Sequence, residues 1–164
     1  MIAVYWGRFN PPHYGHINLI KKILKEVDSL VIAIGEASTK NEKRNPFSGS
    51  ERKQMIKAFL REEKIQRVKV VLVPTTKSFS ASVKKLFEVC LKFDVMYADK
   101  EIVIRKVKNR VKVRRIKRVG TISATKIRDA IAYDKNWEHL TGKSVAKIIR
   151  KINGIARIKK LYHT

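Results

Sequence analysis

The chain has few of the features that mark secreted or membrane proteins. Its 164 residues include one cysteine, Cys90, which excludes an internal disulfide and favours a reducing compartment, so a cytoplasmic protein is expected. The longest apolar runs, such as residues 30–35, are far shorter than the ~18–20 residues that span a bilayer. Polar residues interrupt the N-terminal segment from Asn10 onward, so we expect no secretory signal peptide.

Acidic side chains are also scarce. There are 14 Asp and Glu against 38 Lys and Arg, a formal charge of +24, and residues 100–164 alone carry +16 of it. Hydrophobic residues make up 44% of the chain, an ordinary globular share, so the charge does not indicate disorder. A surface this positive favours anionic partners: nucleotides, nucleic acid or phospholipid headgroups.

Apolar periodicity predicts strands that alternate with helices in the first 98 residues. Ser48 and Glu51 form a capping-box pattern that opens one of these helices. The alternation favours a parallel sheet with right-handed crossovers, a doubly wound α/β fold that we expect to be one domain over residues 1–164. The predicted strands are 2–6, 30–35, 67–74 and 93–98, and the predicted helices are 14–27, one opening at 48, and 80–92.

The second half is harder to assign. Residues 101–118 allow two interpretations, because Val111 and Val113 alternate as in a strand while EIVIRKV fits a short helix. Beyond Gly120, the segment 122–131 is predicted to be a helix capped by Ser123. A further helix is predicted over 145–152, stopped by Asn153-Gly154 and followed by a last basic turn.

The sequence HYGH at 13–16 directly follows the first predicted strand. Two imidazoles three residues apart lie on one face of a helix, and a helix that starts at the carboxyl edge of a sheet offers unpaired N–H groups to phosphate. Gly15 removes a Cβ where a ligand approaches, and Arg8 adds a guanidinium. The pattern predicts a phosphate site. Ordinary surface or core histidines are one alternative, and a metal site, for which no third ligand is apparent nearby, is the other.

A second pattern, ISATKIR at 122–128, offers hydroxyl and N–H groups near the start of a helix. Ser123 and Thr125 lie in or next to its first turn, and Arg128 lies one turn further on. Taken alone, this pattern is also that of a capped helix with a solvated arginine. Together, the two patterns offer donors to a polyphosphate from both sides.

These motifs carry a family resemblance. GRFNPPHYGH with ISATKIR resembles the HxGH nucleotidyltransferase superfamily. GEASTKNEKRNPFSGSERKQMI resembles the loop and helix of archaeal-type nicotinamide mononucleotide (NMN) adenylyltransferases, and the tail KNWEHLTGKSVAKIIRKINGIARIKKL is similar to their C-terminal helices. The resemblance implies a Rossmann-like nucleotidyltransferase fold, a homo-oligomer, and transfer of AMP from ATP to NMN with Mg²⁺, giving NAD and pyrophosphate.

The resemblance also implies site residues. Those that would contact the triphosphate are Arg8, His13, His16, Arg44 and Arg128. Those that would line the rest of the ATP site are Gly7, Phe9, Gly15, Ile122, Ser123 and Thr125. An acceptor phosphate with a second pKa near ~6 is largely dianionic at neutral pH, so the reaction needs no general base. Catalysis then consists of positioning and charge neutralisation, and Cys90 is expected to be a core residue.

The acceptor side departs from the family pattern. Where the family has Asp, Asn and Trp around the helix after the third strand, this chain has Lys77, Ala81 and Lys84, and ADK replaces SGN at 98–100. Trp6 and Trp137 are not expected to replace the missing ring. The leading acceptor is NMN, and the alternatives are nicotinate mononucleotide, phosphopantetheine or another phosphorylated metabolite. The two lysines suit a more anionic acceptor, or are solvated.

A different class of function also fits the charge. A non-catalytic nucleic-acid binder would use the basic second half, including RKVKNRVKVRRIKR at 105–118. That stretch has no interleaved aromatic residues for base stacking, which makes this the less favoured hypothesis. A membrane-surface role is less favoured too, because the basic helices lack bulky aromatic anchors.

Overall fold

A computed structural model describes residues 1–117 and 120–164. Its centre is a five-stranded parallel sheet in the order β3-β2-β1-β4-β5. The strands are β1 (Ile2–Gly7), β2 (Ser29–Ile34), β3 (Val68–Leu72), β4 (Val95–Ala98) and β5 (Lys112–Arg115). The helices are α1 (Tyr14–Ile23), α2 (Gly49–Glu62), α3 (Phe79–Cys90), α4 (Glu101–Val107), α5 (Ala124–Ala132), α6 (Lys143–Lys151) and α7 (Gly154–His163), with a 3₁₀ turn at Glu138–Leu140. The predicted alternation of strands and helices is confirmed as a Rossmann-like α/β fold with C-terminal helices.

The strand order brings the end of β1 to the ligand-binding edge of the sheet. Val4 of β1 pairs with Val31 of β2 on one side and with Met96 of β4 on the other. The winding direction therefore reverses between β1 and β4. In open parallel sheets, ligands bind beyond the carboxyl ends of the strands at such a reversal. The loop that follows Gly7 lies at this position.

The two faces of the sheet bury separate apolar clusters. Ala3 belongs to the cluster that includes Ile17 of α1 and residues of α2, α5, α6 and α7. Val4, the next residue, belongs to the cluster formed with α3 and α4, which includes Leu86 and Val107. This alternation follows from the two-residue period of a strand, and it means that β1 is buried on both faces.

Several predicted boundaries differ from the structure. The first helix was predicted over 14–27 but ends at Ile23, because the N–H groups of Lys25 and Glu26 bond three residues back and tighten the turn. Val27 is buried outside the helix, so its apolar character does not indicate helical phase. The predicted helix stop at Asn153-Gly154 is confirmed, since α6 ends at Lys151 and Asn153 adopts the left-handed conformation, with φ of 61°.

The helix and the strand predicted as alternatives within residues 101–118 both form, in different parts of the segment. EIVIRKV forms α4, and Lys112–Arg115 forms β5 at the edge of the sheet. Arg118, at the end of this segment, lies outside the described residues. No helix among residues 1–117 and 120–164 is long and apolar enough to cross a membrane.

Candidate active site

The loop after β1 carries a buried aromatic ring beneath the site. Phe9 adopts a positive φ of 53° and is 2% exposed. Its ring lies 5.3 Å from that of Tyr5, edge to face, and 4.6 Å from that of His16. A Cβ at Gly7 would lie 3.1 Å from the Phe9 ring, so a larger residue would crowd it. Phe9 therefore supports His16 from within the core.

The two histidines are held by a capping box at the start of α1. The helix begins at Tyr14, so His13 is its N-cap, and the prediction that both imidazoles lie on a helix face is wrong for His13. The Gly15 N–H donates to Nδ1 of His13 at 3.0 Å, and the His13 N–H donates to Nδ1 of His16 at 3.1 Å. The rings stack at 3.7 Å. The pattern is that of Ser-x-x-Glu, with imidazoles in place of hydroxyl and carboxylate.

This capping determines the tautomer of both rings. Because each Nδ1 accepts a backbone hydrogen bond, the proton of the neutral ring is assigned to Nε2. Nδ1 is turned toward the backbone, so the Nε2 edges lie away from it. His13 and His16 thus provide two N–H donors side by side at a helix N-terminus, which is an arrangement suited to phosphate oxygens.

Position 15 must be glycine because any side chain there would clash with the His13 imidazole. A Cβ at this position would lie 2.8 Å from both Cε1 and Nδ1 of His13. The predicted reason for this glycine was the close approach of a ligand. The structure gives a second reason, which is the ring that caps the helix. The same Cβ would lie 3.6 Å from the carbonyl oxygen of Ile122, so the segment ISATKIR reaches the HYGH turn.

The second motif forms the start of α5 as predicted. The Ser123 hydroxyl caps this helix by accepting the Lys126 N–H at 3.2 Å. Arg128 is 4% exposed, so the alternative of a solvated arginine is wrong. Its Nη1 donates to the carbonyl oxygen of Asn10 at 2.9 Å, and its Nη2 donates to the Thr125 hydroxyl at 3.2 Å. The buried Nε of this guanidinium has no hydrogen-bond partner in the described part of the chain.

Three arginines concentrate positive charge at this end of the sheet. Arg8 is half-buried, and its Nη1 donates to the carbonyl oxygen of Arg44 at 3.3 Å. Burial lowers the pKa of Arg8, and the charges of Arg44 and Arg128 lower it further, while Glu36 opposes them. Arg44 is exposed at the rim and Arg128 is buried. A polyanion would relieve this repulsion.

Arg52 is a positioning residue that the sequence did not reveal. It is fully buried, and its Nη1 donates to the carbonyl oxygens of Arg8 at 2.8 Å and Gly35 at 2.9 Å. Its Nη2 donates to the carbonyl oxygen of Glu36 at 2.8 Å. Burial lowers its pKa to about 10. Arg52 therefore joins the loops after β1 and β2. The sequence signal that could have revealed its burial is its position three residues before Met55, on the apolar face of α2.

Asn10 and Asn45 complete this framework. The Asn10 side chain donates to Asn45 Oδ1 and to the Phe47 carbonyl oxygen, and accepts the Phe47 N–H, all at 3.2 Å. Asn45 donates to the Glu36 carboxylate at 2.8 Å. Because Asn45 follows Arg44 directly, these bonds fix the rim arginine relative to the HYGH loop. The sequence analysis assigned no role to either asparagine.

The predicted acceptor side holds an aromatic pair. The rings of Trp6 and Phe79 stack at 6.0 Å, with an angle of 22° between their planes. A Cβ at Gly35 would lie 2.9 Å from the indole Nε1, so Trp6 packs closely against the end of β2. Lys77 and Lys84 are both exposed, and Ala81 lies between them in α3.

Two other residues singled out in the sequence lie in the core. Cys90 is buried, and burial raises the pKa of its thiol to about 11, which confirms that it is a core residue. Trp137 is 7% exposed and belongs to the cluster with α1 and α5. Across the part of the chain that the structure describes, no three His, Cys, Asp or Glu side chains are grouped so as to hold a metal ion.

The chain is similar to known proteins along nearly its whole length. The cytidylyltransferase-like family matches residues 4–130. The nicotinamide-nucleotide adenylyltransferase of Thermoplasma volcanium is 35% identical over 96% of this chain and 90% of its own length. The enzyme of the same name from Thermococcus sibiricus is 34% identical over 98% of this chain and 89% of its own length. That from Pyrobaculum arsenaticum is 35% identical over 96% of this chain and 92% of its own.

Solved structures share the fold. A bifunctional NMN adenylyltransferase/ADP-ribose pyrophosphatase from Francisella tularensis, complexed with AMP and a manganese ion, superposes with a TM-score of 0.81. The match is 20% identical and covers 98% of this chain and 51% of that one. A putative nicotinate-nucleotide adenylyltransferase from Vibrio parahaemolyticus gives a TM-score of 0.69 at 18% identity, over 91% of this chain and 97% of that one.

Proposed function

The chain belongs to the cytidylyltransferase-like family and, within it, to the nicotinamide-nucleotide adenylyltransferases, and we propose that it transfers AMP from ATP to NMN, giving NAD and pyrophosphate. The observation that carries this function is the 35% identity to the Thermoplasma volcanium enzyme across 96% of the chain. The paired imidazoles at the start of α1 supply the chemistry.

The reaction is a displacement at phosphorus. A phosphate oxygen of the acceptor attacks the α-phosphorus of ATP, and the bond from that phosphorus to the oxygen bridging to the β-phosphorus breaks. Pyrophosphate leaves with the electron pair of that bond. Because the acceptor phosphate is already largely dianionic at neutral pH, no side chain has to remove a proton. The residues act by aligning the two phosphates and by stabilising the charge that develops on their oxygens.

We assign the donors to two groups. The Nε2–H groups of His13 and His16 donate to oxygens of the reacting phosphates, and their capping bonds keep them in that tautomer. The guanidinium groups of Arg8, Arg44 and Arg128 bind the β- and γ-phosphates, which become the leaving pyrophosphate. The hydroxyls of Ser123 and Thr125 remain able to donate to the same nucleotide, since each is described here only as an acceptor.

Magnesium is proposed to enter this site bound to the nucleotide. The groups around the HYGH turn are N–H donors and guanidinium groups, so phosphate oxygens would hold the ion. When bound, it supplies further neutralisation of the triphosphate charge. Titration of turnover with Mg²⁺ and Mn²⁺ at fixed ATP tests this proposal, and equal turnover in excess chelator would contradict it.

The stacked pair of Trp6 and Phe79 is proposed to hold the nicotinamide end of the acceptor, a role that the sequence analysis did not expect of Trp6. Trp6 is the residue before Gly7, so its ring lies next to the loop that we assign to the triphosphate, on the face of the sheet covered by α3. The nicotinamide ring of NMN is cationic, and a cation stacks favourably on an indole. Neutral rings are the better partner here, because Lys77 and Lys84 would repel that charge.

Turnover with a panel of acceptors tests the function. NMN with ATP is expected to give NAD and pyrophosphate, while nicotinate mononucleotide and phosphopantetheine give less product at equal concentration. His16→Ala serves as the matched inactive control in every assay. Efficient transfer to another phosphorylated acceptor, with none to NMN, would contradict the assignment. A homo-oligomer is also proposed from the resemblance, and sedimentation of the ligand-free chain measures its size.

A further inference from the structure

A region of clefts lies at the opposite edge of the sheet from the candidate active site. All five parallel strands begin at this edge, and two clefts of about 400 Å³ and 890 Å³ share Ile2, Leu91 and Lys92. Together the clefts run from the start of β3 to the start of β5. We call this region the amino-edge groove, defined by Ile2, Lys69, Leu91, Lys92, Phe93 and Arg110.

The centre of the groove is apolar and exposed. Leu91 is 72% exposed and Ile2 is 38% exposed. Leu91 also has a positive φ of 57°, a conformation that costs a leucine conformational energy. Beside them, the rings of Phe87 and Phe93 lie 5.2 Å apart. Apolar groups exposed together in a cleft mark an interaction site more often than single exposed residues do.

The borders of the groove are cationic. Lys69 and Lys92 are exposed and form no ion pair with any described residue. The guanidinium carbon of Arg110 lies 3.8 Å from the centre of the Phe87 ring, which holds the charge over an aromatic face. The carboxylate that lines the groove belongs to Asp94, and it accepts the Ile2 N–H at 2.6 Å.

Protection of sheet edges accounts for only part of this charge. Lysine on an edge strand discourages pairing with other chains, and Lys69 on β3 and Lys112 on β5 occupy such positions. Lys92 and Arg110 lie outside the strands and border the exposed apolar centre. Their placement suits a ligand that is both anionic and apolar.

We propose that the amino-edge groove binds single-stranded nucleic acid, independently of adenylyl transfer. Its bases would contact the exposed apolar centre and stack on the guanidinium of Arg110, while its phosphates meet the lysines. A duplex hides its bases in the stack and cannot use the apolar centre in this way. The sequence lacked aromatic residues within the basic segment, but the fold brings Phe87 and Phe93 beside Arg110.

Fluorescence anisotropy with a labelled 12-nucleotide oligo(dT) tests the proposal. Binding is expected to weaken with salt, with a log–log slope of about −3 if four phosphates are neutralised. A 12-base-pair duplex is expected to bind more weakly at each salt concentration. Equal or tighter duplex binding, or a slope near zero, would overturn the proposal.

Two double variants distinguish binding at the groove from nonspecific attraction to the positive charge of the whole protein. Lys69→Gln/Lys92→Gln removes two groove charges, and Lys57→Gln/Lys147→Gln removes two exposed charges on α2 and α6. The groove variant is expected to lose about 25-fold in oligo(dT) affinity at 0.1 M salt, since each phosphate contact contributes about five-fold there. Equal losses in the two variants would mean diffuse attraction and would reject the site.

Arg110→Lys tests the contact with the bases. This change keeps the charge but removes the planar group, so oligo(dT) affinity is expected to fall several-fold while duplex affinity stays unchanged. An equal change for both ligands would contradict base stacking. NAD formation is expected to be normal in all groove variants, because they lie at the opposite edge of the sheet from the HYGH turn.

The other occupants of such a groove are an acidic peptide and a second copy of the chain. Poly-glutamate of equal charge is expected to compete poorly with oligo(dT), and equal competition would reject the requirement for bases. Leu91→Asn is expected to weaken oligo(dT) binding without changing the sedimenting mass. A lower mass with unchanged oligo(dT) affinity would assign the groove to self-association and overturn the proposal.

Discussion

The main-chain N–H of His13 donates to Nδ1 of His16 at 3.1 Å, so the second histidine of the motif both caps α1 and presents its Nε2–H away from the backbone. One imidazole therefore has a structural role on one edge and, in the proposed mechanism, a chemical role on the other. The two roles can be separated by substitution, because other side chains can accept the same backbone hydrogen bond.

His16→Ala is expected to lower turnover by about 10²–10³-fold, the usual effect of removing one donor to a developing charge. It should also lower stability by about 1 kcal/mol through the lost cap. His16→Glu restores the acceptor, since glutamate occupies this position in a standard capping box, but its carboxylate has no hydrogen to donate. We expect stability close to that of wild type and at least the same loss of turnover. Recovery of turnover in the glutamate variant would limit His16 to capping.

Gly15→Ala is expected to reduce turnover by about 10²-fold without removing any donor. The new Cβ would lie 2.8 Å from the His13 ring, so the ring must move away from the reacting phosphates. Single-turnover rates measure the effect on the reaction. Far-ultraviolet circular dichroism checks that the fold is retained. A variant with normal rates would show that the position of the His13 ring is not critical.

Arg52→Lys is expected to destabilise the protein by about 2–4 kcal/mol. A single ammonium cannot reach the carbonyl oxygens of Arg8, Gly35 and Glu36 together, and buried acceptors would lose their donors. The KM for ATP should rise, because the loop that carries Arg8 loses its anchor. Arg61→Lys, an exposed arginine on the same helix, is the control. Equal urea denaturation midpoints for the two variants would contradict this role.

The Glu51–Arg157 pair is expected to make stability depend on acid pH. Burial alone would raise the pKa of Glu51, but bidentate bonds from Arg157 at 2.7 and 3.1 Å and the Ser48 N–H hold it below its usual value. Its contribution is therefore present above about pH 4.5 and is lost as the pH falls through the pKa of the folded state.

Glu51→Gln isolates this effect, because glutamine keeps the capping box at Ser48. The variant is expected to be less stable than wild type by about 1 kcal/mol near pH 7. The difference should shrink below about pH 4.5. Thermal unfolding from pH 3 to pH 7 measures it, and a difference that stays constant with pH would exclude the ion pair as its source.

Trp6→Leu is expected to raise the KM for NMN about 10-fold while leaving the KM for ATP unchanged. A cation stacked on an indole contributes about 1–2 kcal/mol when desolvated, and leucine provides no ring. Trp6→Phe keeps an aromatic face and should lie between the two. If the KM for NMN is unchanged in the leucine variant, the Trp6–Phe79 pair has only a packing role.

The elements of the fold could be predicted where local signals and tertiary packing agree. The Ser48–Glu51 box, the buried run of β2 and the cap at Ser123 all appear where predicted. The end of α1 could not be predicted, because Val27 is buried by packing outside the helix. Residues 101–107 and 112–115 remained ambiguous, since a short amphipathic helix and a short edge strand carry little periodicity.

The sequence by itself determined the chemistry of this protein: a βαβ alternation, the residue types of HYGH and ISATKIR, and an excess of positive charge. Only the tertiary structure decided how those residues are placed. The burial of Arg128, its bond to the Asn10 carbonyl oxygen, and the bonds from Arg52 to three loop carbonyl oxygens depend on contacts between residues distant in the chain. Residue type and spacing report local preference, whereas hydrogen-bond partners and burial exist only after strands and loops have met.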